Sequence, residues 1–579
     1  MSTLTKLPSR YGLPLLLAII TFLVYVPSLK SDFVYDARHE ILEEGFITHA
    51  SNLPAVLTLR VLGMNLILGD RPGELLYLMV IALFCGREPF GYHLCSNLLH
   101  AANVALLFIL LRRLITQEYP GWSESKRAWA WLAAAVAVLV FALHPVAVES
   151  VSEVSYASSL LVTFFTLAAL LAVTEMRPEN IRSAILFGTL GGLCALAAVM
   201  GKESGIAAIL GALTYWYLFR RAEAKTTWMV LFSATAILIA LFLAARFYFA
   251  PPATFHFFYI GGSFGQMLLI QPRLWVFMMD QMAWPFHLSA DYTPGNSADI
   301  SFFHSFVVLG LVILGQSWLA AQSRIGALGA ALYWLGLVTV SNFVPLYHAV
   351  ADRYYYLPLA GVAMQLTALL LLILKSPQAF AIAIAVLLIA LVSLAGLTVF
   401  RQKVFANEES LWTDTLRVSP RSVVAHNSLG VVLYQQGKWD EARAHFQQAL
   451  ALSPTYAEPW NNLGLLAYRR GQWDEALGDY QKAIENDPGH AAAHNNLGLV
   501  YLHLNRLDDA QTEFEKAIEI RPGYADPHHN LVNVYLKKRD IPDAIDQLHE
   551  ALRLNPGDSE ARDNLARLES ESGQAGAGP

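Results

Sequence analysis

Three charged positions lie beside long apolar runs, where a charged side chain is costly and often has a function. Asp36 follows the first apolar run, Lys202-Glu203 separates two later ones, and Arg353 precedes an aromatic stretch. A carboxylate can take the proton of an attacking hydroxyl, and a guanidinium fork matches phosphate oxygens. The structural alternatives are a helix cap for Asp36, a local ion pair for Lys202, and an interfacial arginine among aromatic rings for Arg353.

A second group of candidates combines acids with histidines. His144 is followed by Glu149 and Glu153, which lie one helical turn apart on the same face. Together with Asp36 and His39 they suggest a divalent-metal site, but no compact ligand motif supports it. We therefore expect no bound metal, and we expect these side chains to make polar contacts within a helical bundle.

The composition requires lipid as the solvent for most of the chain. Of the 579 residues, 55% are hydrophobic and 15% are charged, whereas soluble domains carry roughly 25% charged residues. The net charge of -6 gives no indication of nucleic-acid binding. The three cysteines all lie in the apolar part, which excludes a disulfide framework.

Eleven stretches are apolar and about long enough to cross a bilayer. They are 11–29, 93–111, 128–148, 155–175, 183–200, 204–219, 228–249, 303–320, 327–343, 355–374 and 378–400. Lys6 and Arg10 before the first run predict an uncleaved anchor with a cytoplasmic N-terminus. Every inner loop then carries a cation, and the odd number of spans places the residues after 400 outside the cytoplasm.

Three apolar regions are not predicted to span. The stretches 53–68 and 75–85 lie in a large first outer loop, 30–92. One contains Arg60 and the other is too short, so both are predicted to be interfacial or re-entrant helices. The segment 265–284 is interrupted by polar residues and is assigned to the outer side.

From residue 407 the sequence becomes soluble in character, with a 34-residue period. Prolines recur at 420, 454, 488, 522 and 556, and small residues recur at 430, 464 and 498 and at 442, 476, 510 and 544. Small residues where two helices touch, at this period, are typical of tetratricopeptide (TPR) repeats. We predict a junction with a half-repeat at 401–420, four repeats at 421–556, a capping helix at 557–570 and a disordered tail at 571–579. The predicted fold class is all-α, a polytopic membrane bundle over 1–400 followed by an α-solenoid.

Asn462, Asn496 and Asn530 recur at one position of successive repeats, with Ser428 in the first. An amide both donates and accepts, so a ladder of amides could bind the backbone of an extended peptide. Asparagine is also common at this place in TPR repeats generally, and a structural role remains open.

Several motifs of the membrane part occur in order along the chain. They are FVYDARHEI (33–41), GDRPGELL (69–76), PFGYHLCSNLLHAANVALLF (89–108), LHPVAVESVSEVSYASSLL (143–161), GKESG (201–205), WPFHLSADY (284–292), SNFVPLYHAVADRYYYLP (341–358) and the junction EESLWTDTLRVSPRSVVAHNSLG (408–430). Together they resemble the transmembrane, TPR-containing O-mannosyltransferases of the GT-C glycosyltransferase class, in a prokaryotic-type member.

This resemblance implies an enzyme that moves a sugar from a polyprenyl-phosphate donor to an acceptor hydroxyl outside the cytoplasm. The acceptor is expected to be Ser or Thr of a polypeptide held by the TPR array. The family's catalytic aspartate matches Asp36. A second acid usually follows it directly in the family, whereas Ala37 stands here, and Glu40 is the candidate replacement.

The leaving phosphate needs cations, and the candidates for them are Arg353, Lys202 and Arg71. Asp291 could orient a sugar hydroxyl or be an ordinary loop aspartate. His144, Glu149, Glu203 and His39 complete the set of polar residues assigned to the site.

Two other functions stay open on the sequence. The acceptor could be a glycan or a lipid, and the chain could be a non-catalytic membrane-anchored scaffold, an alternative that Ala37 keeps open. A transporter is disfavoured, since no inverted repeat is evident. The sequence has no Asn-x-Ser/Thr sequon, which favours a bacterial inner membrane over the endoplasmic reticulum.

Overall fold

The computed structural model describes residues 12–575 except 44–45, 65, 67, 70, 178, 224, 250–261, 293–300, 342, 344–348 and 555–556. The chain divides into two compact units, Met1–Pro420 and Arg421–Pro579. All regular structure in the described residues is helical. The predicted all-α fold class is confirmed.

The first unit is a bundle of long apolar helices with shorter helices between them. Its principal helices are Gly12–Tyr25, Pro72–Cys85, Pro89–Glu118, Glu124–Leu143, Ala157–Glu175, Ile181–Gly201, Ala207–Tyr215, Lys225–Phe249, Phe264–Ala283, Phe302–Gln322, Arg324–Val338, Tyr356–Ile373, Pro377–Val404 and Glu408–Val418. Short helical turns at Leu53–Leu57, Arg60–Gly63, Pro145–Ala147, Val148–Ser152 and Asp352–Tyr355 shape the loops.

Nine helices in the described part of the chain are long and apolar enough to cross a membrane. They correspond to nine of the predicted spans, and several expose large apolar side chains. In Pro377–Val404, for example, Ile389 is 71% and Val392 is 75% exposed. Such a surface is expected of a helix that faces lipid. These helices identify the first unit as a membrane protein.

The other two predicted spans, 204–219 and 327–343, form shorter helices. The first is Ala207–Tyr215, continued by Trp216–Arg220, and the second is Arg324–Val338. At about 1.5 Å per residue, fifteen residues reach roughly 22 Å, less than the hydrocarbon thickness of about 30 Å.

One end of the bundle, here called the Glu118 end, is joined by contacts between residues of loops that the sequence predicts to lie on the inner side. The Glu118 carboxylate accepts hydrogen bonds from the backbone N–H of Arg324 (3.0 Å) and Ile325 (2.9 Å). Arg220 donates to the Met176 carbonyl at 2.7 Å.

The opposite end, here called the Asp36 end, is joined by a different set of contacts. His144 Nε2 lies 2.9 Å from the Met282 carbonyl oxygen, and Arg353 pairs with Glu149. A hydrophobic cluster at this end buries Val146 against Leu337.

Both shorter helices therefore run the length of the bundle. The helical run from Ala207 follows Lys202, which lies 5.1 Å from the Tyr354 ring at the Asp36 end, and reaches the Glu118 end at Arg220. Arg324–Val338 begins at the Glu118 end and arrives in the cluster around Val146.

The second unit consists of helix pairs in the predicted order. The pairs are Val423–Gln435 with Trp439–Leu452, Ala457–Arg469 with Trp473–Asn486, Ala491–His503 with Leu507–Ile520, and Ala525–Lys538 with Ile541–Leu554, followed by Ser559–Ala575. The final helix extends past residue 570, the end predicted for it, into the region expected to be disordered. Helix Glu408–Val418, predicted as a half-repeat, lies in the first unit rather than with the repeats.

In each of the first three repeats, packing against an aromatic ring requires a glycine. A Cβ at Gly430, Gly464 or Gly498 would lie 2.5, 2.8 or 2.6 Å from the ring of Phe446, Tyr480 or Phe514. The fourth repeat exchanges this pair for Val532 and Leu548, both buried. A larger residue on one helix is thus matched by a smaller one on the other, which preserves the core volume.

Candidate functional site

The loop that carries Asp36 is held in an uncommon backbone conformation. Tyr35 has φ +55°, and a non-glycine residue in a sparsely populated conformation of this kind costs about 1–3 kcal/mol. Its ring packs edge-on against Trp412, with centroids 5.1 Å apart, and against Tyr156 at 6.0 Å. The backbone N–H of Asp32 donates to the Ala406 carbonyl at 3.0 Å. These contacts fix the loop from both sides.

Asp36 is partly exposed, and its carboxylate is oriented by one hydrogen bond. The Tyr156 hydroxyl donates to Asp36 Oδ2 at 2.7 Å. The next backbone N–H, of Ala37, donates to Glu153 Oε1 at 3.1 Å, and the Ser155 hydroxyl donates to the same oxygen at 2.6 Å. Asp36 thus lies at the edge of a buried acidic group.

The buried acids beside Asp36 differ from it in their surroundings. Glu153 is fully buried and Glu40 is 4% exposed, and among the described residues neither Oε2 atom has a hydrogen-bond partner. Burial, reinforced by the charge of Asp36, raises the pKa of Glu153 well above its usual range. Burial, followed by the charge of Glu74, does the same to the pKa of Glu40. Both carboxyls are therefore favoured in the neutral form, unlike a general base that is ionised.

Ala37 has a packing role. Its methyl group is 1% exposed and lies in an apolar cluster with Phe33, Ile41 and Leu75. The Glu40 carboxyl belongs to the same acidic group as Asp36. It does not, however, take the place of a second acid directly after Asp36, which is where the Ala37 methyl group packs.

Arg353 is paired at the Asp36 end of the bundle. Its Nη1 donates to Glu149 Oε1 at 2.6 Å, and its backbone N–H donates to Oε2 at 2.8 Å. The guanidinium lies over the Tyr156 ring, 3.9 Å from the centroid. The same tyrosine therefore contacts both Asp36 and Arg353.

Lys202 adds a second buried cation. The residue is 8% exposed and, with Ser159, Ser204, Arg353 and Tyr354, lines a cavity of about 20 Å³. Burial, with the charges of Arg71 and Arg353, lowers the pKa of its ammonium group to about 7. An arriving anion would favour the charged form of this side chain.

Arg71 and Glu203 are tied to neighbouring charges. Arg71 Nη1 lies 3.6 Å from Oε2 of Glu74, a wholly buried acid whose Oε1 accepts the backbone N–H of Ser158 at 2.6 Å. Glu203 forms an ion pair with Arg246. Arg71 and Arg353 are thus close enough to Lys202, the third basic side chain of the predicted donor site, to lower the pKa of its ammonium group.

His144 is engaged with the backbone on both ring nitrogens. Nδ1 accepts the Val146 N–H at 3.3 Å, and Nε2 faces the Met282 carbonyl. Within the described part of the chain, His, Cys, Asp and Glu side chains form no group of three or more suited to a metal ion. The side chain of His39 lies outside the described residues.

Asp291 lies in a turn, and its neighbour makes the long-range contact. Its N–H and carbonyl both meet the Ser289 hydroxyl, at 3.3 and 2.8 Å. The Tyr292 hydroxyl donates to Asp352 at 2.6 Å, and Asp352 lies 3.5 Å from Arg401. Asp352 directly precedes Arg353 in the chain, so this polar group adjoins the pair formed by Arg353 and Glu149.

The asparagine ladder joins successive repeats to each other. Each predicted amide donates to an asparagine one repeat earlier: Asn462 to Asn427 (2.9 Å), Asn496 to Asn461 (2.9 Å) and Asn530 to Asn495 (2.8 Å). A surface pocket of about 480 Å³ lies on these first helices, lined by Tyr468, Leu499, Leu502, His503, Asn533, Leu536 and Lys537. Each hydrogen bond of the ladder links two successive repeats, so the ladder stabilises the solenoid.

Sequence reasoning did not single out Tyr156, Tyr35 or Glu74. Tyr156 and Asp36 are 120 positions apart, and the tyrosine lies in a stretch rich in Ser and Glu, ESVSEVSYASS (149–159). No spacing within the sequence indicates their contact.

Comparison with family models identifies the second unit. Tetratricopeptide repeat models match residues 421–489, 461–525 and 508–568. Among solved structures, the crystal structure of MamA matches 26% of this chain and 86% of its own, at 25% identity and with a TM-score of 0.23.

Curated relatives match more than half of the chain. The chain is 24% identical over 449 residues to "Protein O-mannosyl-transferase F38B6.6" of Caenorhabditis elegans, covering 75% of this chain and 61% of the relative. It is 27% identical over 456 residues to "Protein O-mannosyl-transferase Tmtc3" of Drosophila melanogaster, covering 65% and 48%. It is 25% identical over 415 residues to "Protein O-mannosyl-transferase TMTC4" of Mus musculus, covering 62% and 55%.

These relatives confirm the resemblance to TPR-containing O-mannosyltransferases. The chain spans about half the length of the curated relatives it matches, between 48% and 61% in the three above.

Proposed function

We propose that this chain is an integral-membrane glycosyltransferase that moves mannose from a polyprenyl-phosphate donor to a Ser or Thr hydroxyl of a protein. The observation that carries the proposal is the pairing of a partly exposed carboxylate, Asp36, with a buried guanidinium, Arg353, across one tyrosine ring. The names of the relatives, protein O-mannosyl-transferases, indicate the sugar and the kind of acceptor.

The transfer requires two simultaneous events at the Asp36 end. The acceptor oxygen forms a bond to the anomeric carbon while the bond from that carbon to the phosphate oxygen breaks, and the phosphate leaves with the electron pair. Asp36 takes the acceptor proton as the oxygen attacks. Arg353 and Lys202 stabilise the charge on the departing phosphate, with Arg71 nearby.

The proposed sidedness follows from the two ends of the bundle and the positions of the cations. Glu118, Met176, Arg220 and Arg324 meet at one end, and each of them comes from a different predicted inner loop, four in all. If only the nine long helices crossed the membrane, Met282 would lie on the opposite side from His144, which it contacts at 2.9 Å. The contacts therefore favour eleven crossings, with the Asp36 end and the TPR unit outside the cytoplasm.

The TPR unit is proposed to hold the polypeptide acceptor. Solenoids bind extended segments along a surface formed by successive repeats. The pocket between Tyr468 and Lys537 combines apolar walls with polar groups of the first helices. Because the sequence has no Asn-x-Ser/Thr sequon, we propose that the protein lies in a bacterial inner membrane.

One observation favours a non-catalytic scaffold as the second candidate. The acid that usually follows the aspartate is replaced by Ala37, whose methyl group is packed, and the nearby Glu40 carboxyl is buried. A glycan or lipid acceptor has no specific contact in its favour.

The test is mannose transfer by the purified full-length chain in nanodiscs. The donor is radiolabelled polyprenyl-phosphate mannose, and the acceptors are a Ser/Thr-rich peptide and, separately, a soluble glycan. Label on the peptide would support the proposal, and label on the glycan alone would change the acceptor class. No transfer to either, with Asp36→Asn indistinguishable from wild type, would favour the scaffold.

A further inference from the structure

We propose that Tyr156 is a positioning residue that holds the base and the phosphate-binding arginine in one fixed geometry. The inference rests on the proposed function and adds a residue that the sequence did not indicate. Its hydroxyl donates to Asp36 Oδ2 at 2.7 Å while its ring face lies 3.9 Å from the Arg353 guanidinium carbon.

The ring is well fixed for this task. Tyr156 is 5% exposed, and its centroid lies 6.0 Å from that of Tyr35 in an edge-on arrangement. A buried phenol has few rotamers to lose, so it can orient a carboxylate at small entropic cost.

The segment that carries Tyr156 also holds both partners by other bonds. Glu149 binds the side chain and the backbone of Arg353. Glu153 accepts the N–H of Ala37, the residue after Asp36. The short stretch 149–156 thus contacts both the Asp36 loop and the arginine, and Tyr156 touches the side chains of both Asp36 and Arg353.

The hydroxyl and the ring of Tyr156 have separable effects. The hydroxyl binds Oδ2 and thereby fixes the plane of the carboxylate, and we assign Oδ1 to the acceptor hydroxyl. The ring restricts the guanidinium to one plane through cation–π contact. Loss of the hydroxyl should remove the constraint on the Asp36 carboxylate alone. Loss of the ring should also remove the constraint on the Arg353 guanidinium in the donor site.

The experiment compares Tyr156→Phe with Tyr156→Leu in full-length protein in nanodiscs, with polyprenyl-phosphate mannose as the donor. For Tyr156→Phe we expect kcat to fall about ten- to a hundredfold with an unchanged KM for the donor, since a hydrogen bond to a charged group is lost. For Tyr156→Leu we expect the same loss and a donor KM raised by about three- to tenfold, because the cation–π contact is lost as well.

Tyr25→Phe is the matched control. It removes the hydroxyl of a fully buried tyrosine in the first span, an oxygen without a hydrogen-bond partner among the described residues. It should leave both constants unchanged.

A merely structural Tyr156 would give a different pattern. Tyr156→Phe would then lower the midpoint of thermal unfolding while kcat and KM stayed at wild-type values, and that result would overturn this inference alone. If the wild type transferred no mannose, the proposed function itself would fail and the inference with it. If Tyr156→Phe did not fold, equal donor KM values for Tyr156→Leu and wild type would overturn the inference.

Discussion

The pair formed by Arg353 and Glu149 offers a perturbation whose effects on folding and on donor binding can be separated. Their side chains are 9% and 1% exposed and are joined at 2.6 Å. Arg353→Ala keeps the backbone hydrogen bond to Glu149 but leaves the buried carboxylate without its cation, and breaking a buried ion pair in this way typically costs about 3–5 kcal/mol of stability. A loss of activity in this variant would therefore not distinguish unfolding from lost chemistry.

The double variant Arg353→Met/Glu149→Gln removes both charges and keeps similar side-chain volumes. Replacing a buried ion pair by neutral groups of like size is often close to neutral for stability. The donor phosphate, however, loses a charge-assisted contact typically worth about 1.5–3 kcal/mol. That corresponds to a donor Kd raised by about ten- to a hundredfold.

The assay has two readings on the same purified protein. Thermal unfolding should show the double variant near wild type and Arg353→Ala well below it. Titration with polyprenyl-phosphate mannose, followed by tryptophan fluorescence, should show weakened binding in both. Wild-type donor affinity in the well-folded double variant would refute the assignment of Arg353 to the phosphate and return it to an interfacial structural role.

Three further predictions concern other parts of the chain. Donor affinity should fall as pH rises through about 7, because burial lowers the pKa of Lys202 to about 7 and only its ammonium form attracts phosphate. Lys202→Met should flatten that dependence, and an unchanged slope would contradict the role. Deletion of 421–579 should spare donor binding and reduce transfer to a long polypeptide, so full transfer by the truncated chain would argue against acceptor binding by the repeats. A reporter that is active only in the cytoplasm, fused after Pro579, should be silent, and a strong signal would contradict the proposed sidedness.

The sequence predicts periodic structure well, because local spacing is enough to determine it. The 34-residue period gives the helix pairs, and the apolar runs give the long helices. Composition could not distinguish helix Glu408–Val418 from a half-repeat, since its amphipathic pattern is the same. Its place in the first unit depends on contacts of Trp412 with Tyr35 and of Glu408 with Arg38.

The candidate site is less accessible to sequence reasoning, because its contacts join distant segments. Asp36 and Arg353 were predicted separately, and the ring between them, Tyr156, was not. The sequence identifies the acidic residues but does not show which of them is accessible to an acceptor. Burial makes that distinction, because Asp36 is partly exposed whereas Glu40 and Glu153 are enclosed. Burial of this kind depends on which helices pack together.

The central claim is that Asp36 takes the acceptor proton, and Asp36→Asn tests it most directly. Asparagine keeps the shape of the side chain and can still accept the Tyr156 hydrogen bond, but it cannot take a proton. Mannose transfer from polyprenyl-phosphate mannose should fall by at least about 10²-fold, with thermal stability and donor binding near wild type. Glu40→Gln, measured beside it, should lose less activity. Equal transfer rates for wild type and Asp36→Asn would contradict the account.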